Sequence, residues 1–222
     1  MNGSISSNIV SVEAGATLGG AGVIHGSTTI QSGATFAPGA SPSTLTIDNS
    51  LTLNPGSTTL FHISKSPRTN DAVIVTSAVM FGGTLSVTNL AGNLAAGDNF
   101  KLFNAGSFRG SFSSQTLPEL GTDLAWNTSR LGIDGTLWVM STKEPTFTGV
   151  TLAATNLALS GSGGTPTWSY SLCSSTNVAL PLSRWTPILT NYFDLQGRFV
   201  ITIPVRMNEG GQFYQIAVPW SF

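Results

Sequence analysis

The chain reads as an all-β protein: a parallel β-helix (β-solenoid) followed by a small antiparallel, immunoglobulin-like β-sandwich. Two observations predict this. A segment repeats at coil length: Val12-Glu13-Ala14-Gly15-Ala16-Thr17-Leu18 returns as Ile30-Gln31-Ser32-Gly33-Ala34-Thr35-Phe36, with Gly15 and Gly33 18 positions apart. The composition then shifts, since residues 1–144 hold 9 of the 20 aromatics and residues 145–222 hold 11. Repeats of about 20 residues mark solenoids, because so short a unit cannot bury its apolar side alone and must stack on its neighbours. A looser copy follows at Leu53-Asn54-Pro55-Gly56-Ser57-Thr58-Thr59-Leu60, and a fragment at Gly83-Thr84-Leu85-Ser86-Val87.

Short β-forming runs at 8–12, 16–18, 22–24, 28–30, 34–36, 45–47, 51–53 and 58–63 alternate with turn signals such as Gly19-Gly20, Pro38-Gly39 and Pro55-Gly56. Two further strands are expected at 71–79 and 83–87, the first nearly continuous in Ala72-Val73-Ile74-Val75 as in a strand buried on both faces. Segments 99–104, 107–112 and 136–140 carry bulkier side chains, expected to close the solenoid's end. The expected boundaries are a solenoid over 1–140, a polar linker over 141–146 and a sandwich over 147–222, with strands at 146–152, 156–160, 167–173, 185–190, 198–205 and 212–218. Gly161-Ser162-Gly163-Gly164, residues 194–197 and residues 208–211 supply its turns.

The formal net charge is -1, and 9% of the 222 residues are charged, against roughly a quarter in ordinary domains. Nucleic acid and anionic membranes are therefore not expected partners. Cys173 is the only cysteine, so an internal disulfide and a Cys-rich zinc site are excluded, and it reads as a small buried apolar residue. No apolar run is long enough to insert in a membrane, and Met1-Asn2-Gly3-Ser4 lacks the basic start and apolar core of a signal peptide.

Gly19-Gly20-Ala21-Gly22-Val23-Ile24, Phe36-Ala37-Pro38-Gly39 with Ser41-Pro42 and Leu45-Thr46-Ile47, Leu51-Thr52-Leu53, and Gly82-Gly83-Thr84-Leu85 resemble the repeats of bacterial autotransporter-associated β-strand proteins. Gly110-Ser111-Phe112, Leu117-Pro118 with Leu120, Leu124-Ala125-Trp126 and Asp134-Gly135-Thr136-Leu137 resemble the segment that closes such passenger regions. The likeness covers about residues 9–140 and implies a secreted or surface-displayed β-helix. It carries over no catalytic residue. Tyr170-Ser171-Leu172 with Ser174-Ser175-Thr176-Asn177, Pro181-Leu182-Ser183 with Trp185-Thr186-Pro187, Gly197 with Phe199, and Phe213-Tyr214 are similar to a C-terminal β module of secreted proteins of Verrucomicrobia-like bacteria.

Little in the chain points to chemistry. His25 and His62 stand 37 residues apart without an acidic or cysteine partner at ligand spacing, so no metal site and no cofactor are assigned. Gly161-Ser162-Gly163-Gly164 lies between strands and lacks the helix of a nucleophile elbow. Gly19-Gly20-Ala21-Gly22 lacks the Lys and the helix of a phosphate loop. Asp48, Asp71, Asp98, Glu119, Asp123 and Asp134 supply no pair at a coil-length spacing that would set two carboxyls on one face, as a glycosidase requires. No catalytic residue is assigned.

Aromatic side chains of the second domain are the candidate ligand-binding residues: Trp168, Tyr170 and Tyr192. Alternation puts Trp168, Tyr170 and Leu172 on one face of a strand and Ser169, Ser171 and Cys173 on the other. Exposed, the first face would stack on sugar rings; buried, it is core, and the small residues opposite favour core. The expected function is that of an extracellular structural or adhesive solenoid, self-assembling through its ends or edge strands. The alternative is a carbohydrate-binding or polysaccharide-processing fragment of a larger secreted enzyme. Candidate partners are further copies, as oligomer or filament, and a polysaccharide or cell-surface glycan.

Overall fold

The computed structural model describes residues 3–39, 42–205 and 211–219. Strand accounts for 56% of the chain and helix for 3%. Two compact units form, Met1–Val139 and Met140–Phe222. The expected turn at 208–211 lies, except for Gly211, outside the described residues.

The first unit is a β-solenoid of about four turns. Its first rung is β1 (Ser4–Ile5), β2 (Ile9–Val12) and β3 (Thr17–Gly20). The second is β4 (Val23–Ile24), β5 (Ser27–Ile30) and β6 (Thr35–Pro38), and the third β7 (Thr44–Ile47), β8 (Leu51–Leu53) and β9 (Thr58–Lys65). A short β10 (Arg68–Asn70) folds back antiparallel on β9. In the fourth rung one strand, β11 (Ala72–Phe81), covers two faces, with an irregularity between Val75 and Ala78, and β12 (Thr84–Asn89) covers the third. After β13 (Asn99–Lys101), β14 (Phe103–Gly110) and β15 (Ser114–Thr116) make the fifth. Along the third face successive rungs are offset by 18 residues (Thr17 to Thr35), 23 (Thr35 to Thr58), 26 (Thr58 to Thr84) and 30 (Thr84 to Ser114). The prism keeps its cross-section while its corners grow loops.

Parallel register turns the repeat into columns. Ile5, Ile24, Ile47 and Val75 stack in one inward file, and Val12, Ile30 and Leu53 in another. Ile24, Ile30, Ile47, Leu45 and Leu51 are fully buried. The repeated Gly sits where the chain turns from the second face to the third. Gly15, Gly33 and Gly56 have φ of 80°, 77° and 83°, the left-handed geometry that glycine adopts without a Cβ penalty at the third position of a type II turn. Gly15 N donates to Gly33 O, and Gly33 N to Gly56 O, each at 2.9 Å. In the third copy Phe36 pairs with Thr59, so Thr59 points inward and Leu60 outward. Thr59 is fully buried, and its Oγ1 has no hydrogen-bond partner.

Segments 99–104 and 107–112, expected to close the solenoid, divide between roles. β14 is a rung, paired in parallel with β11, and its Phe103 joins Phe61 and Phe81 edge-on, centroids 5.0 Å apart in both pairs. Closure falls to three later elements: β16 (Leu124–Asn127), a single-turn α1 (Leu131–Asp134) and β17 (Thr136–Ser141). Leu131 and Leu137 are buried in the solenoid core, and Trp126 packs against it while its Nε1 donates to Pro118 O at 2.8 Å. Gly135 O accepts Leu102 N and Phe103 N, covering backbone donors at the start of the last rung. Burial works against charge on Asp134, but hydrogen bonds from Arg130 and Thr136, with the Arg130 charge, outweigh it and hold its carboxyl below the usual range.

The second unit is a sandwich of two three-stranded antiparallel sheets. One has the order β18 (Thr146–Ala153), β19 (Asn156–Ser162), β22 (Phe199–Pro204); the other β21 (Thr186–Tyr192), β20 (Ser169–Ser175), β23 (Phe213–Ala217). Leu159, Phe199 and Ile201 from the first meet Tyr170, Leu172 and Ile216 from the second. Ser141, expected in the linker, is tied into this unit: its N–H donates to Thr165 Oγ1 at 2.9 Å and its Oγ to Gly163 O at 3.1 Å. Cys173 is buried with Trp185 and Ala217, and burial pushes its thiol pKa up.

Ile47→Ala is expected to cost about 2–5 kcal/mol by opening a cavity in an inward file. Thr59→Val is expected to stabilise by about 1 kcal/mol, because it removes a buried hydroxyl without a partner. Urea unfolding of the two variants against the parent checks both.

Candidate functional site

The histidines gain partners that their spacing in the sequence conceals. Ile24 stacks on Ile47, so the next residues, His25 and Asp48, meet at the same corner one coil apart, with Nδ1 2.7 Å from Oδ2. The β9–β10 hairpin brings Asp71 to His62, with Nδ1 2.8 Å from Oδ2. Each pair is a two-group contact, and among the described residues no three His, Cys, Asp or Glu side chains converge as a metal requires. Asp71 has a structural position. It is fully buried and accepts Ser43 N at 3.0 Å, His62 N at 2.9 Å and the His62 ring, joining the corners of successive coils.

Asp98 and Asp134 do the same kind of work. Asp98 accepts Ala95 N at 2.8 Å and pairs with Lys65. Asp134 pairs with Arg130 and accepts Thr136 N at 3.1 Å. Another corner carries a polar file: Asn54 Nδ2 donates to Gln31 Oε1 at 2.7 Å, Gln31 Nε2 to Ser11 Oγ at 3.1 Å, and Ser11 Oγ to Glu13 Oε1 at 2.6 Å. This file ends at the first rung.

The three aromatic candidates do not converge. Tyr170 is 2% exposed, its ring 4.6 Å from Phe193 and 5.5 Å from Phe199. Stacking on sugar is closed to it because the inner face of β20 buries both sides of the ring, and desolvation pushes its phenol pKa up. Trp168 is half-buried against the same core. Tyr192 pairs with Ser169, so alternation sets it on the face opposite Tyr170, where it is 68% exposed. Of the three, Tyr192 alone offers an open ring. The Gly161-Ser162-Gly163-Gly164 run, expected as a turn, is the end of a strand instead: Gly161 and Ser162 close β19, paired with Phe147 and Thr146, and Gly163, at φ 102°, leads the chain out of it.

Among the described residues the first rung stands at the edge of its sheets. β1, β2 and β3 each pair on one side only among the described residues. Of the first members of inward files, Ile5, Val10 and Leu18 are half-buried and Val12 is buried, whereas Ile24 and Phe36 behind Ile5 and Leu18 are fully buried; Ile9 is 73% exposed. Edge strands in natural sheets are usually blunted by charge, proline or a bulge. Here Glu13, just past β2, is the only charged residue in the first rung, and its strands hold no proline.

Comparisons with family models, with curated proteins and with solved structures give no match. No helix among the described residues is long and apolar enough to cross a membrane.

Asp71→Ala is expected to lower stability by about 3 kcal/mol, since two buried N–H groups lose a charged acceptor. Asp71→Asn, which retains an acceptor oxygen, is expected to cost less. Urea denaturation midpoints of the two variants test this.

Proposed function

We propose that the chain is a non-catalytic structural solenoid of the extracellular surface that adheres by pairing the free edges of its first rung with the same rung of a second copy. The open first rung carries this reading. β1, β2 and β3 each pair on one side among the described residues and so present backbone N–H and C=O groups around the aliphatic column, a surface matched by another rung of extended chain.

The opposite end is occupied by α1, β16 and β17, so the rungs meet first rung to first rung. Such a contact is isologous and antiparallel. The low charge of the first two coils removes the like-charge repulsion that self-pairing would otherwise meet. A secreted or surface location rests on the resemblance of residues 9–140 to autotransporter-associated repeats and on a Ser- and Thr-rich, charge-poor surface.

Light scattering over a wide concentration range tests the association. The parent chain is expected to self-associate, and Val10→Lys, which sets a charge in the column, is expected to weaken that association at least tenfold while circular dichroism stays all-β. Ile9→Lys, at an exposed position, provides a milder block that leaves the column intact. Association of the parent unchanged by both variants would defeat the reading.

A further inference from the structure

Among the described residues, Lys65 and Asp98 form the one contact between a lysine amine and a carboxylate. The other ion pairs use histidine or arginine, whose nitrogens form no lasting amide with a carboxyl group. A lysine amine does.

Both partners are fixed in place. Lys65 is the last residue of β9, and its N–H donates to Ala91 O at 2.8 Å. Gly92 packs so closely on its stem that a Cβ there would lie 2.8 Å from Lys65 Cβ. Asp98, in the turn before β13, is 5% exposed. Its N–H donates to Ala95 O at 3.0 Å, and its Oδ2 accepts Ala95 N at 2.8 Å. Lys65 Nζ lies against the other carboxylate oxygen, Oδ1. An amine held against a carboxyl group in this way reacts at a high effective concentration, since neither partner has orientation left to lose.

We infer that Lys65 and Asp98 join in an intramolecular isopeptide bond. A proton passes from Nζ to Oδ1, leaving a neutral amine beside a neutral carboxylic acid, the combination that burial favours over two poorly solvated charges. Nζ attacks Cγ, and the negative charge that develops falls on Oδ2, where the Ala95 N–H already donates. The bond from Cγ to Oδ1 breaks. Oδ1 leaves as water, carrying the proton it received and a second one from Nζ, and an amide with one N–H remains. No oxidant, reductant or cofactor takes part.

The link suits a structural chain and is independent of the first-rung contact. Val139 N donates to Asp98 O at 2.8 Å and Gly97 N to Val139 O at 2.9 Å, so the turn that carries Asp98 is tied to β17 of the closing segment. An amide to Lys65 fastens the third rung to that segment and encloses β10, β11 and β12 in a covalent loop.

Mass spectrometry of the intact, denatured parent chain is expected to give a mass one water below that of the sequence, and peptide mapping a branched peptide that joins the segments holding Lys65 and Asp98. Lys65→Arg, which keeps the ion pair but offers no amine, is expected to restore the missing water, to stay all-β by circular dichroism and to unfold at a lower urea concentration than the parent. Asp98→Ala is expected to restore the water as well. A parent chain at its full sequence mass after days at neutral pH would overturn the bond. So would a water loss that persists in Lys65→Arg, or one mapped to Asp134-Gly135, where a succinimide gives the same change in mass.

Discussion

Parallel pairing between rungs is the constraint on which the first unit depends. Once Thr17, Thr35, Thr58, Thr84 and Ser114 are held in one register, everything two residues along each strand is fixed to the same side, and a slip of one would turn the aliphatic files outward. The files then exclude water along the axis, which strengthens the same backbone hydrogen bonds. Corners escape this constraint. They lengthen from coil to coil without disturbing the columns, and polar residues there can pair along the axis, as His25 with Asp48 and Gln31 with Asn54 do.

Those corner pairs explain why a chain with few ionisable groups still places them in contact. A carboxylate next to a histidine in a cleft invites a catalytic reading. Asp71 shows the alternative: its oxygens are taken up by two backbone N–H groups and a ring nitrogen, so it is satisfied as a tie between coils. Asp98 and Asp134 follow the same pattern at a loop and at a helix end. At these positions charge serves to hold corners.

Much of this was legible in the residues. The Gly-Ala-Thr echo locates the corner because a positive φ is unstrained only for glycine there, and the six expected strands of the second domain all form, within two residues at each end. What failed did so for physical reasons. The third copy looked as if Leu60 continued the apolar position of Leu18 and Phe36, but register places Thr59 inward. Segment 107–112 looked like closing bulk because its phenylalanines are large, yet Phe108 and Phe112 sit in a rung and next to it, and one turn of helix seals the end. The His25–Asp48 pair could not be read from a spacing of 23 without knowing the length of that coil. Alternation already favoured core for Tyr170, but the place of Tyr192 on the opposite face follows from its pairing with Ser169, which spacing alone does not give.

Among the described rungs the interior ones are held on both sides and the first on one, which grades the stability of the stack. Amide hydrogen exchange of the dilute, monomeric chain tests this most directly. The account predicts slow exchange through β5, β8 and β11, with β1 to β3 exchanging markedly faster at the groups facing away from the second rung. Uniform protection across the first rung in the monomer, or exchange in β8 as fast as in the connecting loops, would contradict it.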